Sequence, residues 1–167
     1  MNLLRVFCLC VAVAASLSGC STADVSDKSK YATVRIFLQR PPQLPPEQRT
    51  ELVIPNPPMT VTVGRFAELS EHDMIQAEAV KTGSSKLLVL EFDAHGRMLI
   101  ENFTTERRGE CYVLVINNVP VAAPAIRQTI RDGKLVVEMD MTDEELDSVA
   151  KRINAAIKRY RQNALLK

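Results

Sequence analysis

The segment from residue 142 to residue 161 constrains the fold most, because it has the full signature of an amphipathic helix. Thr142 and Glu145 have the spacing of a capping box, in which each side chain accepts a hydrogen bond from the other residue's backbone amide. The apolar residues at helical spacing are Leu146, Val149, Ile153, Ala156, Ile157 and Tyr160. A helix of this kind needs an apolar sheet against which to pack.

Six apolar segments are predicted to supply the strands. Residues 86–92 carry apolar side chains on both faces, which indicates a strand in the interior of a sheet. Asn117-Asn118 predicts a turn, and Asp132-Gly133 predicts another. The predicted strands are 31–39, 60–63, 86–92, 111–116, 119–126 and 135–139. With two main helices between and after them, these strands predict an α+β sandwich whose sheet is mainly antiparallel.

Two helices are predicted before residue 110. Ser70 is a candidate N-cap for a short helix that reaches Ala79. Asp93 is a candidate N-cap for a longer helix that reaches Arg108, with Gly109 as its C-terminal stop. The longer one is the first of the two main helices.

Seven prolines lie between residues 41 and 58. Because proline lacks an amide donor, this stretch is predicted to be irregular and to lie outside any sheet interior. A proline-rich segment can be a ligand for aromatic grooves, but a stiff surface connection is the commoner structure. Residues 31–58 are therefore predicted to be one strand followed by a proline-rich connection.

The first twenty residues have the pattern of a cleaved leader. Residues 6–15 form an apolar run of signal-peptide length, too short to span a bilayer. Leu17-Ser18-Gly19-Cys20 follows, and it resembles the lipobox of bacterial lipoproteins. The resemblance implies cleavage between Gly19 and Cys20 and a diacylglycerol on the Cys20 thiol, so that residues 1–19 are a signal peptide. The alternative is an ordinary secretory signal with a chance cysteine.

The lipid expected on Cys20 also implies where in the cell the protein is located. Residues 20–30 are small and polar, which is typical of a flexible tether. Ser21, not aspartate, follows the cysteine, and the lipoprotein resemblance then implies the outer membrane if the host has two membranes. The domain is expected to face the periplasm. The covalent lipid on Cys20 is the only non-protein group expected, and no cofactor is predicted.

The mature chain is predicted to be electrically neutral. Loss of Arg5 with the signal peptide leaves 20 basic residues against 20 acidic ones, so the net charge favours neither nucleic acid nor an anionic membrane surface as a partner. Cys8 and Cys10 leave with the signal and Cys20 takes the lipid, so Cys111 has no partner for a disulfide. Its place at the start of an apolar run favours a packed small side chain over a reactive thiol.

Several motifs between residues 88 and 145 follow one another in a characteristic order. They are the strand Leu88 to Phe92 with Asp93 and Gly96 after it, Phe103-Thr104, Gly109 before the strand Tyr112 to Asn117, Ala123 to Ile126, Ile130 to Gly133, and Met141 to Glu145. In order and spacing they resemble the head part of the periplasmic domain of SecD, an accessory membrane subunit of the bacterial protein-export machine. The resemblance covers roughly residues 59 to 157. It implies a ferredoxin-like two-layer sandwich over residues 59–162.

Two departures limit what this resemblance implies about function. SecD has membrane helices whose charged residues use the proton gradient, and the mature chain here has no such span. The family usually has Asp-Gly in the turn that Asn117-Asn118 occupies. The SecD head is thought to hold emerging polypeptide, so the resemblance implies passive contact with a client or partner.

Few residues are candidates for chemistry. His72, His95 and Asp93 could ligate a metal or act as a general base, but they lack a ligand spacing such as H-E-x-x-H. The sequence has no G-x-S-x-G elbow and no glycine-rich phosphate loop. An envelope hydrolase, or a small-ligand or metal-binding lipoprotein, that uses these three residues is the alternative hypothesis. Otherwise no catalytic residue and no metal site are predicted.

The extended segment 119–126 is the candidate contact surface. Pro120 and Pro124 cannot donate to a ladder, which is typical of an edge strand. Such an edge can accept an extended peptide, or its prolines can prevent pairing. The predicted partner-contact edge comprises Val121, Ala122, Ala123, Pro124, Ala125 and Ile126. The favoured hypothesis is a lipid-anchored, non-catalytic binding or assembly module that contacts an envelope protein and is related to protein export.

Overall fold

Nine strands and two helices follow one another in the part of the chain that the computed structural model describes, residues 30–166. The predicted signal peptide, Gly19, Cys20 and nearly all of the predicted tether lie outside the described residues. The elements are β1 (Val34–Leu38), β2 (Arg49–Ile54), β3 (Met59–Gly64), β4 (Leu69–Ser70), β5 (Met74–Thr82), β6 (Ser85–Phe92), α1 (Ala94–Glu106), β7 (Tyr112–Ile116), β8 (Val119–Ala122), β9 (Lys134–Glu138) and α2 (Asp143–Ala164).

The strands are distributed over three antiparallel sheets. The first sheet has the order β4-β1-β7-β8, the second has the order β5-β6-β9, and β2 and β3 form a separate hairpin. The predicted α+β class, with mainly antiparallel sheet and two main helices, is confirmed. β6 is the central strand of its sheet, as its apolar residues on both faces predict.

One large core joins the two main sheets and both helices. Leu88 and Leu90 of β6 and Ile36 of β1 are fully buried in it, together with Ile100 of α1 and Ile153 of α2. The amphipathic character of α2 predicts this docking. Its buried residues are Leu146, Ala150, Ile153 and Ile157, whereas Tyr160 is 42% exposed. The buried face of α2 therefore ends one turn earlier than the spacing of its apolar residues predicts.

The hairpin β2–β3 corrects the prediction for the proline-rich segment. Residues 49–54 pair with residues 59–64 in a regular antiparallel ladder. The prolines do not oppose this pairing, because four of them precede β2 and the other three lie in the turn between the strands. Ile54 of β2 and Val63 of β3 pack against Val113 and Val115 of β7 in a second, smaller apolar cluster.

The helix predicted from Ser70 to Ala79 is wrong beyond its first turn. Ser70 does cap a single 3₁₀ turn, Glu71–Asp73, through a capping box with Asp73. The chain then continues as β5, whose Ala77 and Ala79 pair with Leu90 and Leu88 of β6. Pairing with β6 supplies a ladder of hydrogen bonds that outweighs the local helical preference.

The predicted N-cap of α1 and the predicted turn after β7 are confirmed. The Asp93 side chain caps α1 by accepting a hydrogen bond from the Gly96 amide at 2.9 Å. Asn117 and Asn118 both have positive φ in the turn between β7 and β8, a conformation that asparagine tolerates better than most residues. Gly109 also has a positive φ, 88°, shortly after α1.

Candidate functional site

An open groove of about 960 Å³ runs beside β9. Its apolar lining includes Leu87 of β6, Tyr112 of β7 and Val136 of β9. The facing segment contributes Pro124, Ala125, Ile126 and Ile130, among other residues of the stretch between β8 and β9. The groove therefore lies between the edge of the second sheet and the chain that leaves the first sheet.

The groove contains only half of the predicted partner-contact edge. β8 is an edge strand of the first sheet, as the prolines predict. However, Val121 and Ala122 are half-buried against the large core, and Ala123 packs against the smaller cluster. Pro124, Ala125 and Ile126 line the groove, although Ile126 is only 3% exposed.

The free edge of β9 is the feature that sequence reasoning misses. Gly133 accepts a hydrogen bond from the Phe92 amide at 3.0 Å, and the Met139 amide donates to Lys86 at 2.8 Å. Backbone groups alternate along an antiparallel strand, so the peptide groups of Lys134, Val136 and Glu138 point away from β6. No strand within residues 30–166 pairs with this side of β9. The alternation of polar and apolar residues over 134–138 predicts a strand. It does not predict that this strand lies at the edge of its sheet.

The free edge faces the groove. Lys134, Val136 and Glu138 all line it, and Val136 is 50% exposed. The Lys134 amide already donates to the Asp132 side chain at 3.1 Å, which closes the ladder at that end. The outward peptide groups of Val136 and Glu138 are thus the ones presented to a ligand.

Charges of both signs surround the apolar lining. Arg131 lies 3.4 Å from Glu101, Lys134 lies 3.7 Å from Glu91, and Glu138 accepts a hydrogen bond from Ser85. The Tyr112 side chain is buried in the same lining, and burial raises the pKa of its phenol well above the ordinary value. The groove therefore presents a neutral phenol and a mixed rim, without a strong field of one sign.

Cys111 lies next to this region as a half-buried side chain. Its backbone amide donates to the Gln39 side chain at 2.9 Å, and the residue bridges Ala125 across the strands. Burial raises the pKa of the Cys111 thiol, and the nearby Glu110 carboxylate raises it further. Because the thiolate is the nucleophilic form, this environment favours the packing role over a reactive one.

His72, His95 and Asp93, the residues of the alternative hypothesis, each contact a neighbouring residue of the domain. Asp93 caps α1, as described above. The Nδ1 atom of His95 lies 3.2 Å from the Asp73 carboxylate, and the His72 ring stacks on Tyr160 with centroids 3.9 Å apart. Within residues 30–166, no group of three or more His, Cys, Asp and Glu side chains is arranged to hold a metal ion.

The fold and the groove define a class: an α+β domain of antiparallel sheets in which one sheet edge is open to a groove with both apolar and polar lining. No helix in the described part of the chain has the length and apolar character needed to cross a bilayer.

Similar proteins are found both by sequence and by structure. The chain is 29% identical over 132 residues to the protein translocase subunit SecD of Syntrophobacter fumaroxidans, covering 79% of this chain and 24% of that protein. A solved structure of SecDF, described as a membrane component that enhances protein export, matches 83% of this chain and 71% of the solved chain, with a TM-score of 0.59 and 23% identity. SecDF in its super-membrane-facing form matches 74% of this chain and 19% of its own, with a TM-score of 0.56 and 22% identity.

These similarities confirm the predicted resemblance to the periplasmic domain of SecD. The chain spans about a quarter of the length of the curated relative that it matches. No protein-family model matches the chain. The lipoprotein part of the prediction concerns Gly19 and Cys20, outside the described residues, and stays a prediction.

Proposed function

We propose that this protein is a lipid-anchored, non-catalytic module of the cell envelope that binds an extended polypeptide by strand addition to β9. The observation that carries the proposal is the unpaired side of β9, whose Val136 and Glu138 peptide groups face a groove with both apolar and polar lining. An extended segment in the groove would pair with these peptide groups, and alternate side chains would contact Leu87, Val136 and Ile130.

Strand addition suits a binder that accepts many sequences. Main-chain hydrogen bonds are common to all extended segments, and apolar lining tolerates side chains of different shape. The mixed charges at the rim favour neither strongly acidic nor strongly basic ligands. We therefore expect preference for unfolded, moderately apolar segments and no affinity for nucleic acid.

The relation to export rests on the relatives. SecD is a subunit of a protein translocase, and SecDF is a membrane component that enhances protein export. We propose that this chain contributes contact with a client or an envelope protein partner.

The anchor is the second part of the proposal. Leu17-Ser18-Gly19-Cys20 supports lipidation of Cys20, and residues 20–30 would then tether the domain to the membrane. We propose that the domain faces the periplasm, with the outer membrane as its site in a host that has two membranes. Mass spectrometry of the native protein tests this directly: an unmodified Cys20 would refute the anchor.

Val136→Pro is the sharpest test of the groove. Proline removes the outward amide of Val136, while the hydrogen bonds between β6 and β9 are made by the neighbouring residues. We expect binding of a fluorescein-labelled, permanently unfolded polypeptide, measured by anisotropy, to weaken about ten-fold, which corresponds to roughly 1.4 kcal/mol and one lost hydrogen bond.

Val136→Thr is the matched control, because it keeps the amide and the branched shape. It should bind within about two-fold of the unaltered protein, a difference of roughly 0.4 kcal/mol. Ala125→Asp, which puts a charge on an exposed position of the facing wall, should also weaken binding. Equal affinities for the proline and threonine variants, with both folded, would exclude strand addition at β9.

A further inference from the structure

Exposed leucines extend beyond the last turn of α2. Leu165 and Leu166 are 87% and 85% exposed, far more than the other large apolar residues of this helix. Leu165 also lines a shallow hollow of about 390 Å³, together with Ile75 of β5 and Ile157. Ile75 is itself 41% exposed. An apolar surface therefore continues from the edge of the second sheet to the end of α2.

The part of α2 from Ser148 onward is strongly basic. From Ser148 to Leu166 the sequence has five basic residues, Lys151, Arg152, Lys158, Arg159 and Arg161, and no acidic one. Lys158 and Arg161 line the hollow beside Leu165. The nearby acidic residues of the 3₁₀ turn are engaged elsewhere, since Glu71 accepts from Val34 and Arg35 and Asp73 accepts from Ser70.

Tyr31 and Ala32, near the start of the described residues, lie beside this basic part of α2. The guanidinium of Arg159 lies 4.8 Å from the centre of the Tyr31 ring, and the Ala32 amide donates to the Arg152 carbonyl at 3.2 Å. Leu165 is six residues beyond Arg159, which is about 9 Å along a helix axis. The end of α2 is thus close to the residue at which residues 20–30 join the domain.

The length of that tether limits how far this end can be from a membrane. Tyr31 is eleven positions beyond Cys20 in the sequence, so even a fully extended chain spans at most about 40 Å between them. A surface held at this distance meets the bilayer at a high effective concentration, so even weak contacts would be occupied.

We propose that Ile75, Lys158, Arg161, Leu165 and Leu166 form a membrane-contact patch that docks on the anionic lipid surface in which Cys20 is anchored. The proposal rests on the lipid anchor proposed above for the proximity of the bilayer. The leucines enter the boundary between headgroups and acyl chains, and the basic side chains contact lipid phosphates. The second half of α2 then rests on the membrane and fixes the orientation of the domain.

The absence of tryptophan from the chain provides a direct test. Leu165→Trp introduces a single indole into the patch, and Phe66→Trp, at a position 78% exposed between β3 and β4, is the matched control. Both processed full-length proteins are reconstituted into vesicles of 30% phosphatidylglycerol and 70% phosphatidylcholine. We expect a blue-shifted emission, quenched by brominated lipid, for L165W alone. No shift for L165W, or equal shifts for both proteins, would overturn the patch.

Mass spectrometry of the same samples separates the patch from the anchor. A lipid on Cys20 without a blue shift refutes the patch and leaves the anchor standing. A blue shift with an unmodified Cys20 supports the patch and refutes the anchor.

Charge reversal tests the basic part of the patch. In the Cys20→Ser background, Lys158→Glu should weaken binding to the anionic vesicles by about 25-fold, because each unit of charge near an anionic surface contributes roughly five-fold and the reversal changes two units. Arg97→Glu, an exposed reversal on α1, is the control and should bind at least five-fold more tightly than Lys158→Glu. Equal losses in the two variants would show a non-specific charge effect and overturn the patch.

Discussion

At the scale of single residues, the start of α2 depends on one reciprocal pair. The Glu145 amide donates to the Thr142 hydroxyl at 3.2 Å, and the Thr142 amide donates to the Glu145 carboxylate at 2.7 Å. Four amides at a helix N-terminus lack intrahelical partners, and this pair satisfies two donors there. Both residues could be identified from the sequence because a capping box is entirely local.

Thr142→Ala should lower the free energy of unfolding by about 1 kcal/mol, the usual cost of losing an N-cap side chain. Urea denaturation followed by circular dichroism measures the change. Thr105→Ala is a suitable control, because Thr105 is an exposed threonine within α1 whose hydroxyl donates to Glu101. If Thr142→Ala cost no more than Thr105→Ala, the capping interaction would be irrelevant to stability.

The same pair predicts a pH dependence. The Thr142 amide donates to the Glu145 carboxylate and lowers the pKa of Glu145 below its ordinary value of 4.5. A lowered folded-state pKa means that the stabilisation is present above pH 4.5 and is lost as the pH falls through the folded-state pKa. Glu145→Gln should therefore flatten the acid side of the stability curve, measured by denaturation between pH 3 and pH 7. An unchanged slope would contradict this.

At the scale of elements, the edge of β5 is held by a side chain from α2. Asn154 accepts a hydrogen bond from the Ala77 amide at 2.8 Å and donates to the Ala77 carbonyl at 2.7 Å. The amide side chain thus occupies the position of a neighbouring strand. This contact protects one edge of the second sheet, whereas at the other edge the outward peptide groups of Val136 and Glu138 have no strand partner within the described residues.

Asn154→Ala should cost about 1–3 kcal/mol, because it leaves the peptide group of Ala77, itself 5% exposed, without partners. Asn163→Ala, an exposed position on the same helix, should change stability by less than about 0.5 kcal/mol. Amide hydrogen exchange at Ala77 distinguishes a local effect from global destabilisation. If exchange at Ala77 did not accelerate in Asn154→Ala, the proposed strand substitution would be incorrect.

At the scale of the whole molecule, β7 connects two apolar clusters. All five of its residues are buried: Tyr112, Leu114 and Ile116 belong to the large core, and Val113 and Val115 face the hairpin β2–β3. A central strand covered on both faces explains why β2, which lies in the segment predicted to be an irregular connection, forms a strand that pairs with β3. Its apolar face completes the burial of β7.

Ile54→Ala should therefore destabilise the protein by about 2–5 kcal/mol, because Ile54 is 1% exposed in the smaller cluster. Val53→Ala, at a neighbouring position that is 64% exposed, serves as the control with little expected effect. Thermal denaturation compares the two. Similar melting temperatures for both variants would mean that the hairpin does not contribute to the stability of the core.

Sequence alone determined the features that depend on neighbours along the chain. The caps at Thr142 and Asp93, the turn at Asn117-Asn118 and the apolar alternation of residues 86–92 each follow from local geometry, and each is found as predicted. Only the tertiary structure decided that residues 74–82 form a strand, that residues 49–54 pair in a hairpin, and that β9 is the open edge. These outcomes depend on hydrogen-bond and packing partners distant in sequence, such as Leu90 for Ala77 and Val113 for Ile54, and local propensity does not specify such partners.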